Sequence, residues 1–137
     1  MRPRLSFEWL HACSGCEIAL LNSGELLLAL LDRVEIVHFP LLMDHKYTSR
    51  AGGEEELNLP EAEIGLVSGG VASEEHRAVL RAMRASCRTL VSLGTCATHG
   101  GIPALANERS QAAVRAGVFA DCGTAPAEAP ACLERVY

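Results

Sequence analysis

The sequence predicts an α/β protein, a doubly wound parallel sheet of flavodoxin-like order. Three features point there. Short β-branched or apolar runs alternate with helical runs, in the order β-α-β-loop-β-α-β-loop-α. Right-handed crossovers then place helices on both faces of the sheet. Glycine-containing turns follow the first, third and fourth strands directly, as they do where ligands bind at the carboxyl edge of such a sheet.

Each element has a local reason. Arg4 to Leu10 (R-L-S-F-E-W-L) reads as the first strand, and His11 to Gly15 as a loop. Glu17 to Leu31 is helical in composition and nearly apolar all round. Such a helix is buried on more than one side or against a partner. Gly24 lies inside it, where glycine weakens or breaks a helix. Val34 to Phe39 is the second strand, ended by Pro40. Met43 to Pro60 is polar and reads as a long loop with at most short local structure, its Glu54 to Glu56 run a solvated one. Ile64 to Val67 is a third, buried strand. Ser73 then caps a helix whose Glu74 and Glu75 suit the positive end of the dipole. His76, Val79, Leu80 and Met83 form its apolar stripe, and Cys87 packs at its end. Thr89 to Leu93 is the fourth strand, ending at Gly94. Asn107 to Ala116 reads as a helix with Gly117 at C′. The stretch with Pro126 and Pro130 reads as irregular, or as one short helix. A flavodoxin-like sheet would continue into a fifth strand. This pattern stops at Arg135-Val136-Tyr137, so a C-terminally truncated sheet lacking its last strand is expected.

Composition narrows the function. The chain has 137 residues, 49% hydrophobic and 21% charged, enough for one folded domain with a core. A net charge of −5 argues against nucleic-acid binding, which needs a basic face. The longest apolar run, Leu26 to Leu31, falls far short of the roughly 18 residues of a membrane span. No apolar stretch follows the basic N-terminus as a signal peptide requires, so a cytoplasmic location is expected. The cysteines Cys13, Cys16, Cys87, Cys96, Cys122 and Cys132 are then read as reduced thiols, some of them metal ligands.

The chemistry concentrates in two motifs. C-S-G-C-E at 13–17 follows the first strand, and its tight turn can aim two sulfurs at one centre. A zinc knuckle would need a second C-x-x-C pair, which the sequence lacks, so alone the motif leaves open a redox pair activated at a helix N-terminus or part of an iron–sulfur site. G-T-C-A-T-H-G-G-I-P at 94–103 follows the fourth strand. In a doubly wound sheet both loops emerge at the same edge, so Cys13, Cys16 and Cys96 can converge although 80 positions separate Cys16 from Cys96. Their sulfurs are expected within roughly 6 to 7 Å of one another, from metal–thiolate bonds of about 2.3 Å. Gly15, Gly69, Gly70, Gly94 and Gly100 would let backbone approach a bulky cofactor and present N–H groups to its sulfurs.

C-S-G-C-E-I-A-L-L-N, L-V-S-G-G-V and G-T-C-A-T-H-G-G-I-P together resemble the small subunit of [NiFe]-hydrogenases, most closely its short cytoplasmic forms. The iron–sulfur 20 kDa-type subunit of respiratory complex I belongs to the same superfamily. The resemblance runs from about Leu5 to Tyr137 and implies a single flavodoxin-like iron–sulfur domain over residues 1–137. It implies a proximal [4Fe–4S] cluster held by Cys13, Cys16 and Cys96, relaying electrons from H2 oxidation at a nickel–iron centre on a separate large subunit. Diaphorase or other acceptor subunits are further implied partners, with NAD, F420, a heterodisulfide or a quinone as the final acceptor. The family's fourth cysteine lies in a later G-C-P-P segment that this sequence lacks, leaving Cys122 or Cys132 as substitutes or as ordinary thiols. The C-x-x-C spacing, without adjacent cysteines, favours the hydrogenase branch over the complex I branch. A membrane hydrogenase subunit and a module without a cluster are the other readings. Glu17 is either a proton carrier at the subunit interface or a helix-terminal charge. His99 is either a group near the cluster or a solvent-facing loop residue. Asp44-His45-Lys46 either touches a partner or is solvated.

Overall fold

The structure, a computed structural model, describes residues 1–45, 48–51, 54–119, 133 and 135–137. Cys122, Cys132, Pro126, Pro130, Lys46 and the Gly52-Gly53 pair lie outside the described residues.

Four parallel strands make the central sheet: β1 (Arg4–Trp9), β2 (Glu35–His38), β5 (Ala62–Ser68) and β6 (Cys87–Leu93). Their order, β2-β1-β5-β6, is the flavodoxin-like order as far as its fourth strand. The expected parallel α/β architecture is therefore what the chain adopts. The register aligns Trp9 of β1 with Ser68 of β5, and Ser68 with Leu93 of β6. Three strands thus end level, and the loops after β1, β5 and β6 start from one line. The β1–β2 pairing shifts between Leu5 and Ser6.

β1 is buried along Leu5, Ser6, Phe7 and Glu8, with side chains packed on both of its faces. On one face the Ser6 hydroxyl meets Met83 Sδ at 3.4 Å, under α3 (Glu74–Ser86). On the other, Phe7 stacks on Phe39 with ring centroids 4.6 Å apart. Leu10, Val67, Val79, Met83 and Cys87 form the core between α3 and the sheet. Gly65 is required there: a Cβ would come within 2.6 Å of Cys87 Sγ and 2.8 Å of Leu90 Cδ1. α3 begins as its cap predicts, with Ser73 Oγ accepting the His76 N–H at 3.1 Å.

Several elements differ from expectation. The single helix over Glu17 to Leu31 is two, α1 (Gly15–Leu21) and α2 (Glu25–Leu31). Gly24, at φ 61° and ψ −126°, takes a conformation open to glycine, and the chain turns there. The polar stretch after Met43 contains an antiparallel hairpin, β3 (Thr48–Ala51) with β4 (Glu54–Leu57), so the acidic run is a strand. Its register sets Arg50 opposite Glu55. The segment after β6 is a short helix, α4 (Gly94–His99), followed by a 3₁₀ turn, Pro103–Glu108. Pro103 starts that turn, where its missing N–H costs nothing. The last helix, α5 (Gln111–Phe119), begins four residues later than expected and contains Gly117 rather than stopping before it.

Among the described residues β6 pairs only with β5 and forms the sheet edge. The last residues return to the carboxyl side of the sheet. Val71 and Tyr137 exchange backbone hydrogen bonds at 2.6 and 3.0 Å. Asn107 bonds both the N–H and the carbonyl of Val136. That use of Asn107 explains why it belongs to the turn and not to the helix.

Candidate iron–sulfur site

Cys13 lies in the loop after β1, Cys16 in the first turn of α1 and Cys96 in the first turn of α4. All three therefore sit at the carboxyl edge of the sheet. None forms a disulfide. Cys16 Sγ lies 3.9 Å from the carbonyl of Leu93, the last residue of β6. A Cβ on Gly94 would fall 2.2 Å from that sulfur. Helix α1 thus packs its thiol directly onto the start of α4.

Cys13 and Cys96 share a cavity of about 320 Å³ with His11, Ala12, Ile102, Pro103 and Ala106. Burial pushes the Cys16 thiol up, and the Glu17 carboxylate and the thiols of Cys96 and Cys13 push it the same way. In the metal-free chain Cys16 will alkylate more slowly than exposed Cys13 at neutral pH, because only the thiolate reacts. That gap will narrow as pH rises through the raised Cys16 pKa, which site-resolved alkylation followed by mass spectrometry will show. A Cys16 profile lying below that of Cys13 contradicts the packing.

The glycines have distinct surroundings. A Cβ on Gly15 would lie 3.3 Å from Cys13 Sγ. Gly69 abuts His11 and Ala12, and Gly70 abuts Val136, Tyr137 and Pro103. Gly100 ends α4 with φ 85°, its missing Cβ leaving room for Ala104. Gly101, which sequence reasoning passed over, is the one against Cys96: its Cβ would lie 3.0 Å from Cys96 Sγ. The signal was available, since the second of two adjacent glycines after a helix is free to turn back on it.

Glu17 is only 1% exposed and accepts a hydrogen bond from the Ser68 hydroxyl through Oε1. Its Oε2 has no hydrogen-bond partner among the described residues. It is therefore an interior carboxyl group rather than a solvated helix charge. His99 is exposed at the end of α4, with Nδ1 2.7 Å from Thr98 Oγ1. Cys87 is buried beneath α3, away from this rim. Asp44 is exposed, whereas the His45 ring stands edge-on to His38 at 5.5 Å.

Sequence reasoning missed one further pair. Glu8 and His38 are buried to 1% and 0% exposure, with Nε2 and Oε2 3.0 Å apart. Each is an ionisable residue inside an otherwise apolar strand, and that was the available clue. His11 is a second omission, lining both the thiol cavity and a neighbouring one of about 310 Å³ that also holds His76 and Gln111.

No three His, Cys, Asp or Glu side chains among the described residues are arranged to hold one metal ion. Cys13 and Cys96 on one cavity, with Cys16 held against Gly94 and room left beside two sulfurs by the glycines at 94 and 101, fit a group of several atoms.

A family model described as NADH ubiquinone oxidoreductase, 20 Kd subunit, matches residues 13–132. A subunit of the F420-non-reducing hydrogenase of Methanothermobacter marburgensis is 32% identical over 104 residues, covering 76% of this chain and 31% of that protein. The iron-sulfur subunit of the F420-non-reducing hydrogenase of Archaeoglobus profundus is 32% identical over 108 residues, 78% of this chain and 32% of the relative. The NAD-reducing hydrogenase HoxS subunit delta of Cupriavidus necator is 36% identical over 98 residues, 72% of this chain and 42% of the relative. A crystal structure of NAD+-reducing [NiFe]-hydrogenase in the H2-reduced state superposes with a TM-score of 0.83 at 33% identity, over 100% of this chain and 75% of that one. The matched region spans about a third of the length of the two F420-non-reducing hydrogenase relatives.

Proposed function

The chain belongs to the family of the NADH ubiquinone oxidoreductase 20 Kd subunit, and from there we propose that it is the electron-transfer small subunit of a cytoplasmic [NiFe]-hydrogenase. Cys13, Cys16 and Cys96 would hold a [4Fe–4S] cluster, the one proximal to the catalytic metals of a large subunit. The observation that carries this reading is the packing of Cys16 against Gly94, which joins the first thiol loop to the second. The relatives described above are hydrogenase subunits of several organisms, which supports the hydrogenase branch.

When bound, such a cluster supplies one-electron transfer at a potential set by charge, hydrogen bonds to sulfur and exposure. The chain's part is to hold three thiolates and to keep the cavity beside Cys13 and Cys96 largely apolar with Ala12, Ile102, Pro103 and Ala106. Residues 1–137 would act as one domain in this role. The reduced thiols suit a cytoplasmic compartment. No helix among the described residues is long and apolar enough to cross a membrane.

A large subunit is part of the proposal. α2 buries none of its residues, and Leu26 and Leu28 are 75% and 64% exposed. Ile18, Leu105 and Ile102, the last lining the thiol cavity, are also exposed. Apolar side chains left open near a candidate redox site suit a surface that a partner covers.

Anaerobic reconstitution tests the reading. The chain will take up iron and sulfide and absorb broadly near 400 nm. Cys13→Ser, Cys16→Ser and Cys96→Ser will each lower iron per chain severalfold, while Cys87→Ser will not. Cys122→Ser and Cys132→Ser, compared in the same assay, will identify any fourth thiolate. Equal iron in the wild type and in all three ligand variants rules the assignment out. Nickel in the large subunit that co-purifies with the chain separates the hydrogenase branch from a nickel-free respiratory complex.

A further inference from the structure

The three thiols come from two loops, and something must fix one loop against the other. Local structure does not do it for α1. The helix has seven residues, too few to be stable alone. Ser14, at its N-cap, has φ 64° and makes no side-chain capping bond. The contact of Cys16 Sγ with the Leu93 carbonyl, at 3.9 Å, is long. What anchors the first turn is Glu17, reaching inward to the hydroxyl of Ser68. Ser68 is itself fully buried, at the end of β5. Its two neighbours in the sheet are Trp9 and Leu93. Those residues end the strands whose loops carry Cys13 and Cys16 on one side and Cys96 on the other.

We propose that Ser68 is a positioning residue for the three-thiol site: through Glu17 it fixes the first turn of α1, and with it the separation of Cys16 from Cys96. Ser68 does not act on the cluster itself. The inference rests on the functional reading above for its purpose, but the geometry it claims belongs to the metal-free chain. Glu17 has no second anchor to fall back on, since Oε2 is without a partner among the described residues. Removing the Ser68 hydroxyl therefore leaves a buried carboxyl group with no hydrogen bond, which costs more than the bond itself contributed. The least costly relief is for Glu17 to swing outward, and α1 and Cys16 move with it.

The test uses the full chain without metal, a short bifunctional thiol reagent, and peptide mapping of the Cys16–Cys96 cross-link. Ser68→Ala will slow that cross-link about tenfold with helix content unchanged, the scale of one lost buried hydrogen bond. Glu17→Gln, whose amide oxygen still accepts from Ser68, will cross-link at close to the wild-type rate. Ser6→Ala removes an equally buried hydroxyl from the opposite face of the sheet and will leave the rate unchanged. Should Ser68→Ala melt below the assay temperature, Glu17→Ala removes the acceptor from the other side and must show the same slowing. Wild-type rates in Ser68→Ala or Glu17→Ala overturn the proposal, and so does equal slowing in Ser6→Ala. A wild-type chain that takes up no iron but shows this pattern refutes the cluster and leaves the clamp standing.

Discussion

Glu8→Leu will destabilise the fold by about 3–5 kcal/mol, the usual cost of stranding one member of a buried pair. Glu8 stands in the central strand β1 with both faces covered. Its Oε2 lies 3.0 Å from His38 Nε2, and its Oε1 accepts the Trp9 N–H at 3.0 Å. His38, at the end of β2, is fully buried. Leucine fills much the same space but leaves the imidazole without its carboxylate and the Trp9 amide without its acceptor. The first penalty acts where water cannot compensate, since His38 is fully buried. His38→Leu will cost a similar amount for the mirror-image reason. The double substitution will recover much of the loss, because two apolar residues of fitting volume replace a buried polar pair at little net cost. Urea unfolding of the wild type, both single variants and the double variant supplies the cycle. Single variants that unfold at the wild-type midpoint would mean that the pair is solvated rather than buried.

Gly94→Ala will lower iron uptake by about tenfold or more while leaving the sheet intact. Two effects add. Gly94 has φ 82°, where an alanine is strained by about 1–2 kcal/mol, which alone is worth about tenfold in an equilibrium. The added methyl would also lie 2.2 Å from Cys16 Sγ, so the thiol must leave its place. Gly24→Ala separates the two effects. Gly24 also has positive φ, 61°, but nothing lies within 4 Å of where its Cβ would be. That variant will lose stability without losing iron. Iron and sulfide analysis beside a thermal melt reads both quantities. Equal iron in Gly94→Ala and the wild type would detach Cys16 from the site.

The strand–helix alternation of the central sheet was legible in the residues because its strands carry short β-branched or apolar runs and α3 repeats its apolar positions every three or four residues, whereas the hairpin strands, one of them acidic, were not. The thiol positions were legible for a topological reason: in a parallel sheet every loop after a strand leaves from the same edge, so motifs far apart in sequence become neighbours. Helix boundaries were less so. Gly24 and Gly117 are both glycines in helical sequence, yet the first breaks its helix and the second does not. Glycine permits a break, and the surrounding packing decides whether it occurs.

From its own residues the chain determined a doubly wound sheet, three cysteines at its carboxyl edge, and glycines beside them. Those follow from periodicity and chain order, which are local or topological properties. Which glycine faces which sulfur, the burial of Glu8 against His38, and the reach of Glu17 to Ser68 were decided only by tertiary structure. A polar residue in an apolar strand can point to solvent, to a ligand or to a buried partner. Only the register of neighbouring strands and the placement of a helix over them determine which, because burial depends on what the rest of the chain puts above that position.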